Sequence, residues 1–104
     1  MKLVTKPITI SISDHDGSGR RLVLVDTSRL RGLSALEKTR NIYCLDSSDN
    51  IVWQIDPQLP PKSETDCFVS LTNIDGKVIA DRFFGDEFEI DSMVGTAIHT
   101  GWHK

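Results

Sequence analysis

The chain has little of what marks the more recognisable classes of protein. Its two cysteines, Cys44 and Cys67, stand 23 positions apart, without the close spacing of a zinc or thiol-redox motif, and read as two thiols in apolar strand settings. Gly-x-Ser-x-Gly does not occur, which removes the strained elbow of a common class of serine nucleophile. No apolar run approaches the roughly 20 residues of a membrane-spanning helix. Met1 to Pro7 has neither a long apolar core nor a small-residue cleavage site, so a cytoplasmic protein is expected. Basic excess is missing too. Fifteen acidic residues against twelve basic ones leave a formal charge of −3, the wrong sign for a general binder of nucleic acid or of an anionic membrane.

What is present is β pattern. At 104 residues the chain is long enough for one core and too short to divide. Its clearest stretch is Asn41 to Asp56, where Ile42-Tyr43-Cys44-Leu45 and Ile51-Val52-Trp53-Gln54-Ile55 flank the turn-forming Ser47-Ser48-Asp49-Asn50. Phe88 to Ile98 repeats the phrase. Asp91 answers to Asp46 and Gly95 to Asn50 at an offset of 45 residues, a period in the range of a propeller blade. Asn and Gly both tolerate positive φ, so the exchange keeps backbone geometry.

Elsewhere, Ile8, Ile10 and Ile12 alternate with polar residues, and Arg21 to Asp26 forms a partner strand across the turn Asp14 to Gly19. Thr27 to Arg40 breaks the rhythm; Leu30, Leu33 and Leu36, with Ser28 or Ser34 as a cap, allow at most one short helix in 28–39. Residues 57–66 are a proline-rich joint, since Pro57, Pro60 and Pro61 cannot sit within a sheet interior. Cys67 to Asn73 and Lys77 to Phe84 flank Asp75-Gly76, the strongest two-residue hairpin signal in the chain. Glu87 to Asp91 and Thr96 to Trp102 complete the set. The expected fold is all-β: one domain of about eight antiparallel strands in two four-stranded sheets, one unit in 1–56 and one in 67–104.

Chemistry has few footholds. His99 and His103 are four apart, a metal spacing on a helix but a separation of roughly 13 Å on a strand. Asp14-His15-Asp16 lies in a glycine-rich turn, where Asp serves local hydrogen bonds. Asp16 to Arg20 lacks the Lys-Ser/Thr ending of a phosphate loop. Asp46 to Asn50 lacks the central glycine and late glutamate of a calcium loop. No cofactor or metal is expected. An enzyme would rest on His15, His99 or His103, with no motif around them.

Charge is distributed unevenly. From Arg20 to Arg40 there are six basic residues against Asp26 and Glu37, and from Asp75 to Asp91 six acidic ones against Lys77 and Arg82. In the second stretch Asp81, Asp86, Glu87, Glu89 and Asp91 interleave with Phe83, Phe84 and Phe88. Charge on a strand's outer face often serves only solubility; here it is also suited to a basic protein partner, with Phe84 as an apolar anchor. The basic 20–40 segment offers the alternative, a small adaptor module working through its arginines.

Tyr43-Cys44-Leu45-Asp46 followed by Asn50-Ile51-Val52-Trp53 resembles the strand-turn-strand phrase of quinoprotein-type β-propeller blades. The fuller order, through Asp75-Gly76-Lys77-Val78-Ile79-Ala80 to Phe88-Glu89-Ile90-Asp91, resembles a group of small stand-alone bacterial proteins over about residues 40 to 98. Some such proteins are immunity proteins of polymorphic or contact-dependent toxins. The resemblance implies a non-enzymatic inhibitor that covers the active site of a cognate toxin domain, basic and a nuclease, through Asp81, Phe84, Asp86, Glu87, Glu89 and Asp91. It implies no direct contact with nucleic acid or membrane. Quinone binding is not carried over, because two blade-like units cannot close a propeller.

Overall fold

A computed structural model of the chain describes residues 19–27 and 32–102. The strand expected over Ile8 to Ile12, the turn residues Asp14 to Ser18, Arg29, Arg31 and His103 lie outside the described residues.

The described chain is all-β with one short helix. Three strands, β1 (Arg21–Leu24), β2 (Ile42–Leu45) and β3 (Ile51–Gln54), form an antiparallel meander. The others are β4 (Asp56–Pro57), β5 (Phe68–Ile74), β6 (Lys77–Arg82), β7 (Asp86–Ile90) and β8 (Thr96–Trp102), in the spatial order β4-β8-β7-β6-β5. The helix α1 (Ala35–Thr39) starts at Ser34 with a capping box: the Ser34 hydroxyl accepts from the Glu37 N–H, and the Glu37 carboxylate accepts from the Ser34 N–H.

Among the described residues the sheets hold three and five strands: the fourth strand expected in the first sheet, over Ile8 to Ile12, lies outside them, and the expected four strands of the second are corrected to five by β4. The chain changes sheet at Asp56, whose N–H donates to the Gly95 carbonyl, and β4 pairs with β8 in parallel. Pro57 has no N–H to offer a further neighbour, so it suits the edge it occupies.

Both sheets feed one core. Leu22, Leu24, Ile42, Cys44, Trp53 and Ile55 from the smaller sheet's side meet Phe68, Leu71, Val78, Ala80, Phe88, Ile90 and Ala97 from the larger. Asn41 locks the two together like an inserted peptide group: its Nδ2 donates to the carbonyls of Val25 and Phe68, both at 2.8 Å, and its Oδ1 accepts the Phe68 N–H at 2.9 Å. With every bond satisfied, this buried amide is a fixed joint.

The two repeated turns are related, with one correction. Asp46 accepts the N–H two residues on, from Ser48, and Asp91 does the same for Met93. The Asp46 N–H, however, donates to the carbonyl of Asn50, whereas that of Asp91 donates to Thr96. The second turn is one residue longer, so positive φ falls on Asp49 (66°) and Gly95 (88°), not on Asn50. Gly95 also makes room for the Trp53 indole, which a Cβ there would meet at 2.5 Å. Trp53 Nε1 donates to the Ser92 carbonyl at 3.1 Å, tying the smaller sheet to the larger sheet's last turn.

Candidate functional site

The β6-β7 hairpin carries most of the acidic stretch, and the pleat sorts it. Val78, Ala80 and Arg82 alternate inward along β6, as do Asp86, Phe88 and Ile90 along β7, and all six are buried. Asp81, Glu87 and Glu89 therefore point to the opposite, outer face. Register sets them in two rows. Asp81 lies directly across from Glu87, flanked by Ser70 and Gly101, while Glu89 lies between Ile79 and Ile98, with Thr72 beyond Ile79. Ile98 is 66 % exposed, so carboxylates and an open apolar side chain share one face.

Two carboxylates directly opposite repel each other. Hydroxyls relieve part of this: Ser70 donates to Asp81 at 2.7 Å and Thr100 to Glu87 at 2.8 Å.

The other three predicted contact residues sit elsewhere. Phe84 is in the β6-β7 turn, half-buried, its N–H donating to Asp66 and its carbonyl accepting from Trp102 Nε1. Its neighbour Phe83 is the exposed one, at 62 %. Asp91 is exposed, but its carboxylate closes its own turn. Asp86 faces the core. There its Oδ2 accepts from Lys62 Nζ at 2.9 Å and its Oδ1 contacts His99 Nε2 at 3.0 Å. Burial pushes this carboxyl upward, but the hydrogen bonds and charges of Lys62 and His99 outweigh it and hold the pKa below its ordinary value.

Beside Asp86 lies a polar group that charge counting along the chain misses. Arg82 is buried, its guanidinium 5.4 Å from the Phe68 ring centre and 4.7 Å from that of Phe88. Its Nη1 donates to the Pro60 carbonyl at 3.3 Å. Burial lowers its pKa, against the opposing pull of the Asp66 and Asp86 charges, yet an arginine stays protonated. Asp66, fully buried, accepts the N–H groups of Lys62 and Phe84 and so folds the proline-rich joint onto the β6-β7 turn. Period-two alternation from Val78 and Phe88 is the signal that could have placed Arg82 and Asp86 inward.

Two arginines of the basic segment are paired with acids. Arg21 pairs with Asp49, and Arg40 pairs with Asp56 at 3.3 Å. Among the described residues no group of three His, Cys, Asp or Glu is placed to hold a metal ion. Cys44 is buried, and Cys67 is half-buried with its thiol pKa raised by burial. No helix of the described residues is long and apolar enough to cross a membrane.

Fold and surface together define a two-sheet β domain with one acidic, partly apolar sheet face and a buried arginine-carboxylate network behind it. The chain belongs to the DUF7957 family, a domain of unknown function whose model matches residues 18–102. No match was found among curated proteins or among solved structures.

Proposed function

We propose that this domain is a non-enzymatic protein-binding module that docks a basic protein partner on the outer face of its five-stranded sheet. In the form that the sequence resemblance implies, the partner is a bacterial toxin domain, a nuclease, and the bound module covers its active site. The observation that carries the reading is the cross-strand pair Asp81-Glu87 beside Glu89 and the exposed Ile98. Like charges held face to face weaken a sheet, and a cationic partner converts that weakness into complementarity and faster encounter. Ile79 and Ile98, on either side of Glu89, give such a partner apolar area to bury.

The test is co-expression with the product of the adjacent gene, scoring cell survival and recovery of a complex, for the native chain and for D81N/E87Q/E89Q. Survival and a complex with the native chain, both weakened in the triple variant, are the expected result. A complex unaffected by the triple variant removes the outer face from the interface. A harmless neighbour that is never bound ends the immunity reading.

A further inference from the structure

Where the proline-rich joint passes over α1 and the end of β6, a cavity of about 270 Å³ opens on the side away from the proposed docking face. Leu36, Leu59, Pro60 and Pro61 form apolar walls, and Arg40 and Arg82 also line it. Arg82 is only 2 % exposed, and its Nε and Nη2 have no hydrogen-bond partner. Those two nitrogens are one edge of the guanidinium, whose parallel N–H groups match the two oxygens of a carboxylate. The nearby acids do not fill that edge. Both Asp66 oxygens accept backbone N–H groups, and both Asp86 oxygens are engaged by Lys62 and His99. A buried donor edge without an acceptor is costly, and the neighbouring Arg40 charge adds repulsion.

We propose that this cavity binds an organic carboxylate with a small apolar body. The carboxylate pairs with the Nε-Nη2 edge of Arg82 and with Arg40, and the apolar body lies against Leu36, Leu59, Pro60 and Pro61. The Arg82 edge is shielded from solvent, so occupancy moves the exposed Gln58 to Pro61 segment aside. This site is independent of the outer sheet face, and either can fail without the other.

The test is an NMR titration of the full chain, labelled with nitrogen-15, using isovalerate as the probe, with inorganic phosphate and isobutanol as controls. Expected is a saturable shift of the Arg82 Nε–H together with the Gln58 and Leu59 amides, with isovalerate alone. R40Q weakens binding about tenfold, the loss of one charge-assisted hydrogen bond. If R40Q also lowers the melting temperature, L59D, at an exposed position, is the second variant, expected to weaken binding at least as much by setting a carboxylate on the apolar wall. An unmoved Arg82 Nε–H overturns the proposal, as does equal binding of phosphate or isobutanol, or retention of full affinity in both variants.

Discussion

The two faces of the β6-β7 hairpin take residues from one acidic stretch and put them to opposite uses. On the inner face Asp86 is held by Lys62 and His99 next to the buried Arg82. On the outer face Asp81 and Glu87 lie directly across from each other, each accepting from a hydroxyl, Ser70 and Thr100 respectively. A carboxylate buried with its partners is part of the core, and its loss strands other charges. One set opposite a like charge at the surface draws no stability from that neighbour. The number of charges in a segment says nothing of this; their parity along the strand decides it.

The sharpest way to break the comparison is from the inside. D86A should destabilise the domain by about 3 kcal/mol, because the variant keeps Lys62, His99 and the buried Arg82 while removing the carboxylate that engages or balances them; urea unfolding measures it. A loss no larger than that of an exposed acid would mean that the inner network is not part of what holds the core. G95A is next, at about 2 kcal/mol, since a methyl group there both strains a positive φ and meets the Trp53 ring. Quenched or shifted tryptophan fluorescence should accompany it, because the indole must move.

Acid should act on the inner face in the same direction. The folded Asp86 carboxyl has a pKa below its ordinary value, so between the folded value and the unfolded value of about 3.9 the unfolded chain binds more protons. Its contribution is therefore complete above about pH 5 and is lost as pH falls through the unfolded and then the folded pKa. Asp46, lowered by hydrogen bonds from the turn backbone, titrates with the same sign. The urea midpoint should fall between about pH 5 and pH 3, and less steeply in D86N, which has no carboxyl at that position to protonate.

Local features were readable before the fold was. Asp75-Gly76 takes positive φ at both residues, Ser34 caps the helix, and Trp53 joins the core between Ile51 and Ile55. Each follows from neighbours within a few positions. The outer-face carboxylates Asp81, Glu87 and Glu89 were legible as a charged stretch, though not as a group distinct from Asp86. What could not be read are the partnerships across the chain: Asn41 with Phe68, Lys62 with Asp86, and β4 beside β8. Their residue types are ordinary for turns and surfaces, and only the meeting of two sheets makes them structural. The mismatched repeat has the same origin. A one-residue difference in turn length is invisible when both turns begin with Asp-Ser, and it moves the left-handed position from Asp49 in one to Gly95 in the other.

The smallest effect sharpens the comparison from the outside, and its sign is the informative part. E87Q keeps a group able to accept from Thr100 while removing one of two opposed charges, so the domain should become more stable by about 0.5 kcal/mol, a rise of roughly 3 °C in melting temperature for a chain of this size. The gain should shrink in high salt, because exposed carboxylates are screened over a Debye length of about 8 Å at physiological ionic strength. The same substitution should slow association with a basic partner, and stability and binding then move in opposite directions. That opposition distinguishes a face kept for a partner from a face kept for solubility: if E87Q raises the melting temperature and leaves association unchanged, Glu87 is surface charge and the docking face lies elsewhere. If E87Q lowers the melting temperature, the contacts of the Glu87 carboxylate outweigh the repulsion and the Asp81-Glu87 pair is no longer a reason to look for a cation there.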